Sequence, residues 1–367
     1  MTACMYMSPP IIEGSSRVMP IVLADTLATL VDRETKKYFK GEELTPARFE
    51  TGRINEPSRV RLVRKLIIEK NFAWACAGDG EKIAQFRKEL INQAEDLDVL
   101  ERPMRRLGDI ANDLQDLNVV GAHAKKSRIN FVTPNLSRKN HRHLGIYEAT
   151  GSGAKDLISR CEECANALDH PNWERTNPFM KTAGLVAALN GSRVAEEIIG
   201  QHRNKWGGYL EWAYYTGCGW SRGPRTLNVF RFFEAEHDKI IRSGDLAKCI
   251  MYEPGDQFGR VLSLAPGANR EFILAPAQES GEKPLKPPAY SWSNWEPDWV
   301  NVTAVCKVND RKKNGAHLHV YASKSLDPDR VDDFKFSHGE STTSWEFDRE
   351  WREDFDSLVE KTLPMFY

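Results

Sequence analysis

The chain begins with Met-Thr, and its second residue carries a side chain able to act as a nucleophile. With Met1 removed, Thr2 would present a hydroxyl that attacks carbonyl groups and a free amine that serves as its base. Cys4 is a nucleophilic residue nearby, but it lies inside a strand pattern and carries no free amine. Because a Met-Thr start is common, the residues that would support Thr2 must be found elsewhere in the chain.

Metal and redox chemistry has weaker signals. Cys161 and Cys164 form an isolated Cys-Glu-Glu-Cys inside a helical pattern, with no second pair at a zinc-like spacing. His317 and His319 share one face of a predicted strand, and His-Arg-His stands at 141–143. Neither set has the partners of a histidine metal motif. We therefore expect packed thiols, no metal and no organic cofactor.

Composition is that of a folded soluble protein. The 367 residues are 41% hydrophobic and 28% charged. The formal net charge of -1 at pH 7 predicts neither a nucleic acid nor an anionic membrane as partner. Seven scattered cysteines favour reduced thiols. We find no secretory leader and no apolar run of about 20 residues, so we expect a cytoplasmic protein.

The periodicity of the first two thirds alternates between strand and helix. Apolar patterns predict strands over 2–7, 18–25, 64–68, 72–77 and 205–215, and helices over 81–97, 157–168 and 184–200. Residues 226–233 alternate well enough to be the partner of the strand over 205–215. Hairpins with segregated helices favour an α+β fold over a parallel, doubly wound sheet.

The character of the chain changes after about residue 234. Pro and Gly become frequent, and we expect residues 235–367 to form a C-terminal extension of mixed structure. Its clearest elements are a hairpin of 299–308 with 316–323 and a charged helix over 348–363. The aromatic residues Tyr290, Trp292, Trp295 and Trp299 are expected to fill a core or an interface rather than to bind a sugar or a base.

Three segments, in this order, resemble the proteasome β-subunit branch of the N-terminal nucleophile (Ntn) hydrolases. They are VLADTLAT at 22–29, the run from RKL to KEL at 64–90, and EATGSGAKDLISR at 148–160. WGGYLEW at 206–212 adds a fourth match. The resemblance covers about residues 2–233 and implies a four-layer αββα sandwich of antiparallel sheets over residues 1–234. A charged insert at about 98–143 has no counterpart in the family.

The resemblance also implies a set of catalytic roles. Thr2 would be the nucleophile, and Asp25 would pair with Lys65, or with Arg64 if the hairpin register differs by one residue. Gly78 would supply the backbone N–H of an oxyanion hole, whose loss typically lowers the rate by about 10²–10³. Ser152 would hold the terminal amine by hydrogen bonding.

A threonine-type peptidase or amidohydrolase acting through an acyl-enzyme is the activity that the resemblance implies. It also implies a ring or stacked homo-oligomer, a peptide or protein substrate, and an ATPase/unfoldase or other protein as a candidate partner. However, Arg203 and Trp206 stand where the family carries residues that support the terminal amine. A catalytically inactive binding or assembly protein therefore stays open, as does a small-molecule amidase of the same class.

Overall fold

The structure is a computed structural model of an α+β protein. It describes residues 3–8, 19–29, 60–69, 72–92, 117–123, 136–141, 144–166, 177–199, 208–236, 239–265, 268–279, 281–283, 285–292, 295–310, 315–325, 334–338, 343–347 and 349–362. Thr2, Arg203 and Trp206 lie outside these ranges. All seven cysteines lie within them, and their thiols are free.

The strands, in chain order, are β1 (Cys4–Ser8), β2 (Ile21–Asp25), β3 (Leu27–Thr29), β4 (Val60–Arg64), β5 (Leu66–Glu69), β6 (Phe72–Gly78), β7 (Leu117–His123), β8 (Ser137–His141), β9 (Gly145–Thr150), β10 (Leu210–Tyr215), β11 (Trp220–Arg222), β12 (Thr226–Glu236), β13 (Lys239–Glu253), β14 (Gly259–Ala265), β15 (Ala268–Pro276), β16 (Trp299–Asp310), β17 (Gly315–Ser325), β18 (Phe334–His338) and β19 (Thr343–Phe347). The helices are α1 (Gly80–Asn92), α2 (Ala154–Asn166), α3 (Pro178–Ile199) and α4 (Arg349–Thr362).

Helix α1 shows how local sequence sets these boundaries. Asp79 precedes it, and its Oδ1 accepts hydrogen bonds from the backbone N–H groups of Glu81 at 2.9 Å and Lys82 at 3.2 Å. This is the capping geometry that satisfies the unpaired donors of a first helical turn. Ile83, Phe86 and Leu90 are buried on one face, as the helical spacing predicts.

A six-stranded antiparallel sheet has the order β11-β10-β2-β1-β9-β8. One of its faces packs on helices α2 and α3, where Met5 and Leu23 meet Leu157 and Leu189. Its other face packs on the three-stranded sheet β5-β6-β7. Successive residues of β1 therefore alternate between two cores, since a strand has a side-chain period of two.

The second sheet of this layered arrangement, β5-β6-β7, is covered on its far side by α1. Trp74 of β6 contacts Phe86 of α1 edge to face, with ring centroids 6.3 Å apart. Strand β7 comes from the charged insert predicted over 98–143, and so does β8 at the edge of the six-stranded sheet. Apart from residue 136 and these two strands, that insert lies outside the described residues.

An eight-stranded mixed sheet has the order β17-β16-β12-β13-β14-β15-β4-β3. Its β12–β16 and β15–β4 pairs are parallel, and the others are antiparallel. The predicted hairpin of β16 and β17 is confirmed, and so is the C-terminal helix α4. As expected, Trp292 and Trp295 pack with Phe355 of α4 in the core of this region, and Trp299 packs in the core of the six-stranded sheet, whereas Tyr290 is exposed.

The predicted partner of β10 was wrong. Residues 226–233 belong to β12, which pairs with β13 and β16, whereas β10 pairs with β2 and β11. Alternation alone could not separate these partners because it fixes the faces of a strand and not its neighbour. Strand β12 also crosses residue 234, after which we expected the C-terminal extension to begin. Strands β3 and β4, from the first part of the chain, belong to the same eight-stranded sheet.

Within the described ranges, no helix combines the length and apolar character needed to cross a membrane.

Candidate active site

Asp25 and Lys65 form a buried ion pair. Asp25 ends β2, and Lys65 stands between β4 and β5. The Lys65 Nζ donates to Asp25 Oδ1 at 2.6 Å, and their side chains are 1% and 0% exposed. The short distance is that of a charge-assisted hydrogen bond. A buried pair of this kind fixes the ammonium in one place, since separating the charges leaves each one unsolvated.

Arg64 does not take part in that ion pair. Its Nε donates to Glu211 Oε1 at 3.0 Å, and its Nη2 lies 2.9 Å from the same oxygen. The guanidinium also donates to three successive backbone carbonyls, those of Pro254, Gly255 and Asp256, at 2.7–2.8 Å. Of the two basic residues that the sequence left open, Lys65 is therefore the one that meets Asp25.

Glu211 is the centre of a second buried cluster next to the first. Its Oε1 also accepts a hydrogen bond from the Tyr252 hydroxyl at 2.8 Å. Burial lowers the pKa of Arg64, but the charge and hydrogen bond of Glu211 outweigh burial and raise the pKa above its ordinary value. In the pairing of β10 with β2, Leu210 stands opposite Asp25 and Glu211 opposite Ala24. The two ion pairs thus lie on adjacent strands.

Ala3, the residue that follows Thr2 in the chain, is hydrogen-bonded to Asp25. The backbone N–H of Asp25 donates to the Ala3 carbonyl at 3.0 Å. The next residue, Cys4, pairs with Ala24 on one side and with Thr150 on the other. The described start of β1 is therefore held between the end of β2, which carries Asp25, and the end of β9.

Cys4 is placed near the ion pair, but its thiol is not activated. Burial raises the pKa of Cys4 well above its ordinary value, and the neighbouring Cys76 and Asp25 raise it further, while Lys65 opposes them. The side chain is 0% exposed. A thiol held in its neutral form is a poor nucleophile. The geometry thus agrees with the sequence argument against Cys4.

Gly78 is the last residue of β6 and is exposed. Two residues before it, the Cys76 N–H donates to the Lys65 carbonyl at 3.1 Å, so β6 is anchored to the backbone of the lysine. The backbone at Gly78 has a φ of 136°, a region that side chains rarely tolerate. Its conformation thus depends on glycine.

Ser152 lies in the exposed turn between β9 and α2. It stands two residues beyond Thr150, the residue that pairs with Cys4. The Thr150 hydroxyl donates to Asn118 Oδ1 of β7 at 3.0 Å, which joins this end of β9 to the three-stranded sheet. Backbone and side-chain hydrogen bonds thus connect the strand ends near Asp25, Gly78 and Ser152 to each other.

Sequence reasoning missed the cluster of Arg64, Glu211 and Tyr252. It also missed a polar contact at Thr26, the residue directly after β2. There the Tyr209 N–H donates to Thr26 Oγ1 at 2.9 Å, and the Thr26 N–H donates to the Tyr209 carbonyl at 3.1 Å. Glu211, a single charge within the apolar run LEWAYY, was the available signal. Such a residue requires a buried partner, but the sequence does not say which one.

Metal ligation has no support in the part of the chain that is described, where no group of three or more His, Cys, Asp or Glu residues is placed to hold an ion. Cys161 is buried in the core between α2 and the six-stranded sheet, and Cys164 packs against the same core. The side chains of His317 and His319 lie outside the described set.

No protein-family model matches the chain, and no curated protein matches it. Among solved structures, Anbu (ancestral beta-subunit) from Yersinia bercovieri is similar to part of the chain, with a TM-score of 0.31 and 10% sequence identity. The match covers 60% of this chain and 86% of that chain.

Proposed function

We propose that the protein is a threonine-type peptidase or amidohydrolase whose nucleophile is Thr2, exposed by removal of Met1. One observation carries the proposal: the buried ion pair of Lys65 and Asp25 adjoins Ala3, the residue that follows Thr2. A fixed ammonium next to a terminal amine is what this chemistry needs, because like-charge repulsion favours the neutral amine. An ordinary α-amine has a pKa of about 7.7–8.0, so a small decrease leaves it ready to accept a proton near neutral pH.

In the proposed reaction, the Thr2 hydroxyl attacks the carbonyl carbon of the scissile amide. Its proton passes to the Thr2 amine, and a C–O bond forms while the negative charge collects on the carbonyl oxygen. The C–N bond then breaks, and the departing amine takes the proton from the Thr2 ammonium. Water attacks the resulting ester in the same way and releases the acid, which restores the free hydroxyl.

Two exposed groups at the neighbouring strand ends would assist. The Gly78 N–H would donate to the developing oxyanion, and its glycine conformation lets the substrate approach the backbone closely. The Ser152 hydroxyl would hold the Thr2 amine. We extend the proposal to a four-layer Ntn arrangement, a cytoplasmic location and a ring or stacked homo-oligomer that acts on peptides, with or without an ATPase partner.

The first experiment is an intact mass of the purified protein. The proposal requires that Met1 be absent, because an amide at the Thr2 nitrogen cannot serve as a base. A mass that retains Met1 in active protein would contradict the proposal.

The second experiment measures hydrolysis of a panel of short peptide amides that release a fluorescent amine. We expect Thr2→Ala to abolish turnover and Thr2→Ser to retain part of it, since serine keeps the hydroxyl and the amine. Thr216→Ala, in an exposed turn, is the matched control. Cellular function that persists in Thr2→Ala would favour the inactive binding protein. Hydrolysis of small amides but of no peptide would favour the small-molecule amidase.

A further inference from the structure

A cavity of about 660 Å³ lies at the side of the layered sheets, between β5, β11, Arg87 of α1, and the end of β13 with its following turn at 254–256. Arg64, Leu66, Ile67 and Ile68 form one wall, and Trp220 and Arg222 form another. Asp25 and Lys65 are not among its described lining residues. The cavity is therefore separate from the ion pair of Asp25 and Lys65, although its wall begins at the residues on either side of Lys65.

Trp220 and Arg222 line this cavity, and each has one buried donor atom without a hydrogen-bond partner among the described residues, Trp220 Nε1 and Arg222 Nη1. They lie two positions apart on β11, so both side chains project from the same face of the strand. Trp220 is only 8% exposed. Buried donors of native proteins are nearly always satisfied, and an unpaired one calls for an explanation such as a ligand.

The acceptors that surround Arg222 are already engaged or lie at the surface. Glu211 accepts from Arg64 and from Tyr252, and Glu253 accepts from the Tyr290 hydroxyl at 3.0 Å. Asp256 is exposed, and its carbonyl accepts from Arg64. Burial, and then the charge of Arg64, lower the pKa of Arg222. The charges of Glu211 and Asp256 act in the opposite direction, but among the described residues no carboxylate is hydrogen-bonded to the Arg222 guanidinium.

We propose that this cavity binds a carboxylate carried on a short apolar group, with its two oxygens accepting from Trp220 Nε1 and Arg222 Nη1. Indole and guanidinium groups only donate, so the ligand atoms that meet them must be acceptors. A carboxylate supplies two in one plane, with the charge that Arg222 lacks. The side chains of Leu66, Ile67 and Ile68 provide the apolar wall for the attached group.

Two sources carry this chemistry: a free carboxylic acid, and the C-terminal residue of a peptide. The test is calorimetric titration of the full chain with N-acetyl-leucine, with an acetylated tetrapeptide that ends in leucine, and with the amide of each. Inorganic phosphate is the comparison anion. We expect Thr2→Ala protein to bind the acids as wild type does, so failure here is distinguishable from failure of the proposed hydrolase.

We expect at least one acid to bind and its amide to bind at least about tenfold more weakly, since one charged hydrogen bond is worth about tenfold or more. Trp220→Phe keeps an aromatic ring and removes the N–H, and Arg222→Leu removes the charge; each should weaken binding about tenfold or more. Arg138→Leu is the matched control, because Arg138 lies on β8 at the opposite edge of the same sheet. Tighter binding of the peptide assigns the ligand as a chain terminus, and tighter binding of N-acetyl-leucine assigns it as a free acid.

Thermal melting provides the folding control. The bound acid should raise the melting temperature of wild type and of Arg138→Leu, and raise that of Trp220→Phe less, because a ligand stabilises only the state that binds it. Equal affinity of wild type and a folded Trp220→Phe protein would overturn the proposal. So would the absence of binding by either acid, or binding of phosphate in preference to both.

Discussion

Arg64 and Lys65 are consecutive in the chain, but their charges are paired with carboxylates of different strands. Lys65 bonds to Asp25 at the end of β2, whereas Arg64 bonds to Glu211 of β10 and to the turn at 254–256. That turn follows β13 of the eight-stranded sheet. The C-terminal part of the chain is therefore hydrogen-bonded to Arg64, the residue next to the proposed catalytic lysine.

The ion pair of Asp25 and Lys65 should matter for stability and for activity in separable ways. Lys65→Met removes the ammonium that pairs with the buried Asp25 carboxylate and should lower the free energy of unfolding by about 3–5 kcal/mol. Combining it with Asp25→Asn should recover much of that loss, since both charges of this ion pair are then removed, yet activity should stay absent. Urea denaturation and peptide-amide hydrolysis measure the two effects.

Lys88→Met is the control for this pair, because Lys88 is 62% exposed and pairs with Glu279 at the surface. It should change neither property appreciably. Full activity in the folded double variant would remove Lys65 from the proposed mechanism.

Gly78→Ala should be costly where Gly80→Ala is not. The φ of 136° at Gly78 strains any residue with a Cβ, at a cost of roughly 1–3 kcal/mol, and a shifted N–H should lower the rate by about 10²–10³. At Gly80, in the first turn of α1, an added Cβ meets no atom within 4 Å. Unfolding free energies and turnover rates of the two variants test the contrast; equal rates would argue against a Gly78 oxyanion donor.

Arg64→Met should lower the free energy of unfolding by about 3–5 kcal/mol, because Glu211 would be left buried without its counter-charge. The matched variant is Arg225→Met, whose ion pair with Asp298 has both side chains more than 40% exposed. An exposed pair contributes about 1 kcal/mol or less. Chemical denaturation measures the unfolding free energies of the two variants. Similar decreases in both would mean that the contacts of Arg64 with Glu211 and the turn at 254–256 do not stabilise the protein more than a surface ion pair does.

Thiol labelling should find a single reactive cysteine in the native protein at neutral pH. Cys218 is exposed, whereas burial raises the pKa of Cys164 to about 12 and that of Cys4 well above its ordinary value. Raised values mean that the reactive thiolate is absent until the pH is strongly alkaline. Mass spectrometry after brief alkylation should show one adduct, none in Cys218→Ser, and seven after unfolding. Rapid labelling of Cys4 would contradict its placement.

Local patterns were sufficient to predict the elements that carry the candidate site. The helical spacing of Ile83, Phe86 and Leu90 predicted α1, and the strand predictions for β1, β2 and β6 were correct because each is a short apolar run buried on both faces. The prediction of one strand over 64–68 was less exact, since β4 ends at Arg64 and β5 begins at Leu66. Alternation could not reveal that interruption, at which Lys65 stands.

What the sequence determined by itself was the α+β class and the residue types at the ends of β2 and β6, while the pairing of Asp25 with a basic residue at 64 or 65 was implied only by the family resemblance. Only the tertiary structure decided which basic residue pairs with Asp25. It also decided that β12 belongs to the eight-stranded sheet and does not pair with β10, and that Arg64 forms an ion pair with Glu211. The physical reason is the range of the forces involved. Periodicity and capping act within a few residues, whereas the partner of a buried charge is set by strands brought together from 147 residues away.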